Sequence, residues 1–366
     1  HYFFKLKNFS EKLSQYLEEN QNLQKDVKKY VQNWIKEGLT DWDITRDISW
    51  GIPVPIDGVN DKVFYGWFDN HLAYISSAVK FLNDNGKDGK KFWNESDIYH
   101  FIGKDIVYHH YLFLPAMRLG IEGEYKLPDY IPTRGHLTLQ SKKISKSRNW
   151  YIGLKDFLQI FPADYLRFYL VSINPYSQDD LNFDWNEFAT KINSELIGNL
   201  GNLVNRVLGF TVKSFDGIIP EPEEFDDADK ESEKLIKEFV TDIGTLMEQN
   251  HLDRALKKIF QFSAHFNQYF QHKEPWKNNP GTNSCIYLSV NAVRSLAIAI
   301  YPFLPESSQK IWVQLGMHDN ISAQGFDEIS NISIKQGHKL GKISPLFQKV
   351  EESVIKEQSA KLGDSM

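Results

Sequence analysis

The hydrophobic pattern of this chain changes its period once, near Glu187, and that change limits the folds open to it. Before this point, short segments that alternate apolar and polar residues are interleaved with segments of helical period. After it, apolar residues recur only at helical spacing, as in "ELIGNLGNLVNRVLGF". Alternating strands and helices are typical of a parallel α/β sheet, and an unbroken helical period is typical of a bundle. We therefore predict an α/β region followed by an all-α region.

Three strand-like segments are predicted in the α/β region. "KVFYGWFD" precedes the helical "HLAYISSAVKFLND", "DIYHFIGKD" precedes the buried helix "IVYHHYLFLPAMRLG", and "YIPTRGHLTLQ" leads into a lysine loop. Helices are expected within residues 9–38, and "DITRDISWGIPVP" is expected to be a rigid loop. Because ligands bind at the carboxyl ends of parallel strands, Asp69, residues 103–105 and the lysine loop are expected near one rim.

Composition excludes several classes of protein. The net charge of -6 argues against binding nucleic acid through bulk positive charge, so DNA is not an expected partner. Cys285 is the single cysteine, which excludes a disulfide framework and a cysteine-rich zinc site and favours a reducing, cytoplasmic location. No apolar run approaches the roughly 18 residues of a membrane helix, so no membrane association is expected. The sequence begins within a segment that looks structured, and we interpret the chain as part of a longer protein.

The lysine loop, "SKKISKSRNW" at residues 141–150, is the strongest local signal. Lysine ammonium groups on flexible stems suit phosphate oxygens, and serine hydroxyls add hydrogen-bond donors. Charge runs are also common on solvated surfaces and in localisation signals, so the spacing by itself leaves both interpretations open.

Other candidate residues are weaker when each is taken alone. Gly103, at a strand end, permits close backbone approach to a ligand, and Asp105 offers a carboxylate for ribose hydroxyls. His109 and His110 suggest a metal, but adjacent helical residues point about 100° apart and no cysteine lies nearby, so no metal site is predicted.

The sequence offers two further candidate binding surfaces. One is formed by the polar residues in "YGWFDNHLAY", and the other lies in the helical half. The first is interpreted as a lined pocket, although aromatic segments are more often core. In the second, Asn202 and Arg206 are four residues apart on one helix, and Trp276 follows a proline. Together these could stack on and hydrogen-bond an unpaired base, whereas separately each is more often a packing feature.

Several motifs together resemble one family. "KKISKSR" resembles the KMSKS signature of class I aminoacyl-tRNA synthetases, with Ile144 in the methionine position. "DWDITRDISWGIPVP", "HFIGKDIVYHH", "ADYLRFYL", "ELIGNLGNLVNR" and "KEPWK" resemble methionyl-tRNA synthetases in the same order. The resemblance covers nearly the whole chain. It implies the second half of a Rossmann-type parallel-sheet catalytic domain followed by an anticodon-binding helix bundle.

The resemblance also implies an activity, that of a methionine-tRNA ligase. The methionine carboxylate attacks the α-phosphate of ATP, Mg²⁺ and the KMSKS lysines stabilise the departing pyrophosphate, and the adenylate is transferred to the tRNA. ATP with Mg²⁺, methionine and a tRNA-Met with a CAU anticodon are thus the implied ligands. Residues 1–130 are expected to be the C-terminal half of the catalytic domain with the end of its connective insertion. Residues 131–186 are expected to hold the KMSKS loop and a stem-contact region, and residues 187–366 the anticodon-binding domain.

The site residues that the resemblance implies fall into four sets. The KMSKS residues are Lys143, Ser145, Lys146 and Ser147, and the ATP-binding residues are Gly103, Asp105, Lys143 and Lys146. The methionine-binding residues are Trp67, Asn70, His71, Tyr74, Ile106, His110 and Leu114. The anticodon-binding residues are Asn202, Arg206, Pro275 and Trp276.

The sequence also departs from the family. The HIGH signature and the zinc-bearing insertion are absent, so no zinc is expected in this chain, and a separate N-terminal HIGH-containing chain is an expected partner. Leu114 stands where the family usually has tryptophan, Ser141 where it has glycine, and Asn70 and His71 where it usually has a small residue followed by proline or another modest side chain. The leading interpretation is the C-terminal portion of the enzyme, or one piece of a split enzyme. The alternative is a catalytically inactive paralogue that binds tRNA, and a generic α/β nucleotide-binding protein is the third.

Overall fold

The computed structural model describes residues 1–121 and 124–363. The chain divides into two compact units. Unit 1 comprises His1–His136 with Ser177–Asp179, and unit 2 comprises Leu137–Tyr176 with the chain from Asp180 onward. The core of each unit is built from residues of that unit. The functional division at residues 130 and 186 stays a prediction.

Unit 1 contains short strands and mostly short helices. Its helices are α1 (Ser10–Glu19), α2 (Lys25–Glu37), α3 (Gly66–Asp84), α4 (Gly89–Glu95) and α5 (Leu114–Gly120), with a π-helical segment at His109–Phe113 directly before α5. Its strands are β1 (Phe3–Phe4), β2 (Trp42–Asp43), β3 (Thr45–Arg46), β4 (Val63–Phe64), β5 (Ile102–Gly103) and β6 (Thr133–Arg134).

Unit 2 is mainly helical. Its helices are α6 (Leu154–Ile160), α7 (Ala163–Ser172), α8 (Trp185–Lys191), α9 (Asn202–Phe215), α10 (Asp227–Glu248), α11 (Leu252–Lys273), α12 (Thr282–Ile300), α13 (Pro305–Gln314) and α14 (Glu352–Ala360). A second π-helical segment, Ile192–Gly201, directly precedes α9, and the strands are β7 (Leu137–Leu139), β8 (Lys142–Lys143) and β9 (Leu181–Phe183).

The parallel pairing predicted from the alternating pattern is confirmed. β5 pairs in parallel with β6, with Ile102 opposite Thr133 and Gly103 opposite Arg134. In unit 2, β7 pairs in parallel with β9 and antiparallel with β8. Because β5 and β6 run in the same direction, their carboxyl ends lie at one edge, where ligands of α/β proteins bind.

The helices predicted within residues 9–38 are also confirmed, as α1 and α2. Leu13 and Leu17 on α1, and Val27 and Val31 on α2, are fully buried and are spaced four residues apart. This spacing puts each pair on one face of its helix, so both helices pack against the core of unit 1.

The predicted strand "KVFYGWFD" is wrong beyond its first residues. β4 covers Val63–Phe64 and pairs antiparallel with β3, and α3 begins at Gly66. His71 and Ile75 are buried four residues apart, so the aromatic segment supplies the inner face of a helix. Asp69 therefore lies in the first turn of α3 instead of at the end of a parallel strand.

The lysine loop has more regular structure than predicted and belongs to unit 2. β7 turns through Gln140 and Ser141 into β8, so Lys142 and Lys143 form one strand of a hairpin. Gln140 and Ser141 have φ of 49° and 60°, the left-handed conformation that two-residue hairpin turns require. The turn was not predicted because neither residue is the glycine or asparagine that usually marks it.

The helical prediction for the rest of unit 2 is confirmed, with one correction. The segment predicted as a long helix is interrupted at residues 249–251, where Asn250 has φ of 62°. α12 packs against α9, α10, α11 and α13. By length and composition α12 could cross a membrane, contrary to the sequence-based expectation, but 89% of its apolar window is buried inside the protein, as in the core helix of a globular protein.

Candidate functional site

Aromatic side chains of α3 meet the histidines that follow β5. Nε2 of His71 lies 3.1 Å from Nδ1 of His109, and the hydroxyl of Tyr74 lies 3.1 Å from Nε2 of His110. The ring of Trp67 stacks on His109 with centroids 4.5 Å apart. The structure thus brings together four predicted pocket residues and adds His109, which sequence reasoning did not include.

The tautomer of His110 follows from its two partners. Its Nδ1 lies 3.0 Å from the backbone oxygen of Ile106, another predicted pocket residue. A carbonyl oxygen only accepts, so Nδ1 carries the proton and Nε2 accepts from Tyr74. His109 and His110 both lie in the π-helical segment, and the two adjacent side chains both reach α3.

Burial keeps these imidazoles neutral. Burial, reinforced by His110 and His109, lowers the pKa of His71 to about 3. Burial beside Arg118 lowers the pKa of His100 to about 3. The pKa values of His109 and His110 are also lowered, chiefly by burial. A cluster of neutral imidazoles donates and accepts hydrogen bonds without adding positive charge.

The remaining pocket residues differ in exposure. Leu114 is fully buried at the start of α5, whereas Asn70 is exposed on α3. A cavity of about 360 Å³ lies beside Tyr74 and is lined in part by Trp93 and His100. The space next to the predicted pocket is therefore walled by both aromatic and polar groups, which suits a small ligand of mixed polarity.

The predicted adenosine-binding residues lie at the carboxyl end of β5. A Cβ atom on Gly103 would lie 2.6 Å from Oδ1 of Asp105, so the carboxylate leans back over the strand end. Oδ1 of Asp105 also lies 3.5 Å from Nε2 of His136, which follows β6. The two parallel strands thus place a carboxylate and an imidazole at one edge, where they can hydrogen-bond a polar ligand.

The lysine hairpin holds its first lysine against an indole. Nζ of Lys142 lies 4.3 Å from the centre of the Trp150 ring, and Nε1 of Trp150 donates to the oxygen of Leu139 at 2.8 Å. A residue of β9 stabilises the turn, because Oδ1 of Asn182 accepts a hydrogen bond from the backbone N–H of Ser141 at 2.6 Å.

The predicted KMSKS residues follow directly on this hairpin. Lys143 and Lys146 are exposed, and the hydroxyls of Ser145 and Ser147 lie 3.2 Å apart. Exposed ammonium groups beside paired hydroxyls can bind phosphate oxygens. The hairpin fixes the position of the backbone from which the segment with these side chains continues.

The predicted anticodon-binding residues come together at one surface of unit 2. The guanidinium carbon of Arg206 lies 5.2 Å from the centre of the Trp276 ring and 5.2 Å from that of Phe270. Trp276 is 44% exposed and follows the buried Pro275. Asn202 lies one helical turn before Arg206 on α9. An exposed indole beside a guanidinium can stack on a base and hydrogen-bond its edge.

Sequence reasoning missed the partners of these side chains on α11. Asn267 accepts a hydrogen bond from Asn202 at 2.9 Å, and Gln271 accepts one from Arg206. A signal was present, because Asn267 and Gln271 have the same four-residue spacing on their helix as Asn202 and Arg206 on theirs. His100 was not considered at all, and His109 was considered only as a metal ligand.

Metal ligands do not assemble in the described part of the chain. Over residues 1–121 and 124–363, no group of three or more histidine, cysteine, aspartate or glutamate side chains is placed to hold a metal ion.

A family comparison identifies the chain. The sequence model described as "tRNA synthetases class I (M)" matches residues 1–208. The chain therefore belongs to this family of class I tRNA synthetases. A second sequence model, "Anticodon binding domain of methionyl tRNA ligase", matches residues 219–365.

Individual relatives agree with the family assignment. The chain is 40% identical to the methionine-tRNA ligase of Methanopyrus kandleri over 371 residues, covering 100% of this chain and 54% of that protein. It is 39% identical to the enzyme of Pyrococcus horikoshii, covering 97% of this chain and 51% of that protein. Mycobacterium tuberculosis methionyl-tRNA synthetase in complex with methionyl-adenylate has a similar structure, with a TM-score of 0.84 and 26% identity over 94% of this chain and 68% of that one. The chain spans about half the length of the curated relatives it matches.

Proposed function

We propose that this chain is the part of a methionine-tRNA ligase that carries the KMSKS loop, much of the methionine pocket and the anticodon-binding surface. The observation that carries the proposal is the meeting of Arg206, four residues after Asn202 on α9, with the exposed Trp276, which lies 70 residues further along the sequence. An aromatic platform with hydrogen-bonding neighbours is what recognition of an unpaired base requires. The relatives named as methionine-tRNA ligases support methionine and tRNA-Met as the substrates.

Two sets of residues are assigned to adenylation. Lys143 and Lys146 bind the phosphates of ATP, and Ser145 and Ser147 donate hydrogen bonds to them. Gly103 and Asp105 hold the adenosine. Mg²⁺ arrives with the phosphates as part of the substrate, in the way Mg²⁺ is usually bound at nucleotide sites.

The methionine pocket is assigned to α3 and the histidine-bearing segment. Trp67 and Tyr74 form its aromatic wall, and Nε2 of His110, whose tautomer is fixed by Ile106, accepts a hydrogen bond from the Tyr74 hydroxyl. This hydrogen bond holds the phenol ring in place, so the wall is formed before the substrate binds.

We further propose that adenylation requires residues outside this sequence, supplied in the cytoplasm by a segment or a separate chain that carries a HIGH signature. The support is the coverage of only about half the length of the relatives. The test is methionine-dependent ATP–pyrophosphate exchange. The chain alone is expected to show none, and addition of a HIGH-containing N-terminal half is expected to restore it; robust exchange by the chain alone would contradict the requirement.

A specific observation favours a second candidate, a catalytically inactive paralogue that binds tRNA. His71 and Leu114 differ from the residues usual in the family, and His71 pairs with His109 instead of leaving an apolar wall. Leu114 in place of the usual tryptophan costs on the order of 1–3 kcal/mol of methionine binding. Exchange that stays absent after the N-terminal half is added, together with intact tRNA binding, would favour this candidate.

A further inference from the structure

A ladder of amide side chains links α11 to the proposed anticodon surface. Nδ2 of Asn199 donates to the backbone oxygen of Phe260 at 2.9 Å. Nδ2 of Asn267 donates to the backbone oxygens of Asn199 at 3.0 Å and Ser263 at 3.3 Å. Oδ1 of Asn267 then accepts from Nδ2 of Asn202 at 2.9 Å. The ladder therefore begins on backbone carbonyls and ends at Asn202.

The backbone carbonyls fix the direction of every amide in this ladder. A carbonyl oxygen only accepts hydrogen bonds, so the nitrogen of Asn267 must face the oxygens of Asn199 and Ser263. The oxygen of Asn267 is then left to face Asn202, which must present its own nitrogen inward. Asn202 consequently keeps Oδ1, an acceptor, for a ligand.

The π-helical segment Ile192–Gly201 positions two asparagines of this ladder, Asn199 and Asn202. It supplies Asn199, and it ends directly before Asn202, the first residue of α9. The wider turn of a π-helix changes the direction of the residues around it, and such segments are frequent at functional sites. The amide of Asn199 is thereby directed toward α11 and engages both Phe260 and Asn267.

Gln271 orients Arg206 in a corresponding way. Arginine only donates, so Oε1 of Gln271 must face the guanidinium of Arg206, which also lies against the rings of Phe270 and Trp276. One edge of the guanidinium is thereby engaged, and its other N–H groups remain as donors for a ligand.

We propose that Asn267 and Gln271 are positioning residues that set the hydrogen-bonding polarity of the anticodon surface, so that it accepts cytosine and rejects uracil. This inference rests on the proposed function. Asn202 presents an acceptor and Arg206 presents donors, which complements the amine donor and ring acceptors on the pairing edge of cytosine. Uracil offers a carbonyl acceptor where cytosine has its amine, and so faces the acceptor of Asn202 with another acceptor.

The test compares two anticodon stem-loop RNAs, one with CAU and one in which uracil replaces the cytosine. Wild-type protein is expected to prefer the CAU loop. Asn267→Leu removes the group that fixes Asn202, so the amide can turn, and the preference is expected to fall about tenfold. Gln271→Leu, at an exposed position, is expected to lower the preference with little effect on folding. Gln268→Leu, at an exposed position next to Asn267 on α11, is the matched control and should leave the preference unchanged.

A rescue variant separates positioning from a structural role. Aspartate accepts hydrogen bonds on both oxygens, so Asn202→Asp combined with Asn267→Leu should regain preference for the CAU loop, even if added negative charge weakens both affinities. Equal binding of the two loops by wild-type protein would defeat the proposed function itself. A wild-type preference that survives both Asn267→Leu and Gln271→Leu would overturn this inference alone.

Discussion

The guanidinium carbon of Arg206 and the ring centre of Trp276 lie 5.2 Å apart, although 70 residues separate them in sequence. This cation–π contact holds the indole beside the groups that hydrogen-bond a base. We therefore expect Trp276→Ala to weaken binding of a CAU tRNA about tenfold or more, because a stacked base contributes about 1–3 kcal/mol. The dissociation constant, measured by filter binding, checks this.

A matched control exists elsewhere on the chain. Trp50 is 85% exposed and lies in unit 1, so Trp50→Ala removes the same side chain from a different surface. It is expected to leave anticodon stem-loop binding unchanged. An equal loss in both variants would mean that the effect of Trp276 is not local.

The histidine cluster predicts that unit 1 loses stability in acid. Unfolded histidines bind a proton below about pH 6.5, but His71 and His100, with pKa values of about 3, stay neutral in the folded protein. The unfolded state therefore binds more protons between about pH 6.5 and 3, so stability falls as the pH is lowered through this window. Each group contributes at most about 1.4 kcal/mol per pH unit.

Substitution of one histidine tests this directly. His71→Gln keeps hydrogen-bonding capacity toward His109 but cannot titrate. The free energy of unfolding, measured by urea denaturation at several pH values, should depend less steeply on pH in the variant. Identical slopes would show that His71 does not stay neutral in the folded state.

Gly103 is expected to be required for the position of Asp105. A methyl group there would lie 2.6 Å from the carboxylate oxygen, so Gly103→Ala must push Asp105 aside. With φ of -82°, the backbone itself accommodates alanine, and the fold should persist. We expect ATP affinity of the enzyme supplied with its N-terminal half to fall about tenfold, the value of one lost charge-assisted hydrogen bond. Equilibrium dialysis measures the affinity, and an unchanged value would remove Asp105 from the adenosine site.

The hairpin turn of unit 2 carries backbone strain at Ser141. Its φ of 60° is a conformation that costs a non-glycine residue about 1–2 kcal/mol. Ser141→Gly should therefore raise the free energy of unfolding by up to about 1 kcal/mol, after the greater entropy of glycine in the unfolded chain is counted. Ser145→Gly is the control, because Ser145 has an extended backbone with φ of -151° and should gain nothing. Calorimetry distinguishes the two outcomes.

Local periodicity predicted most of the helices and the parallel pairing. Leu13 with Leu17, and the apolar face of α9, recur at a spacing that only a helix puts on one side. The start of α3 was misplaced because its aromatic residues suit strands as well as helices. The β7–β8 hairpin was missed because its turn residues, Gln140 and Ser141, are not those that favour a positive φ.

The candidate site was only partly predictable for a related reason. The ladder between Asn202 and Asn267 joins residues 65 positions apart, and no local pattern indicates which amides on two helices will meet. The pairing of His71 with His109 likewise depends on how α3 packs against the segment after β5. Candidate residues could be chosen from the sequence, whereas their hydrogen-bond partners required the fold.

Selective binding of the methionine tRNA tests the central claim most directly. The dissociation constant of the 366-residue chain should be measured for tRNA-Met and for the same tRNA with the CAU anticodon replaced by GAU. The proposed function predicts at least about tenfold tighter binding of the CAU form, since the net charge of -6 gives little nonspecific attraction. Equal binding of the two tRNAs would contradict the assignment of this chain as the anticodon-reading part of a methionine-tRNA ligase.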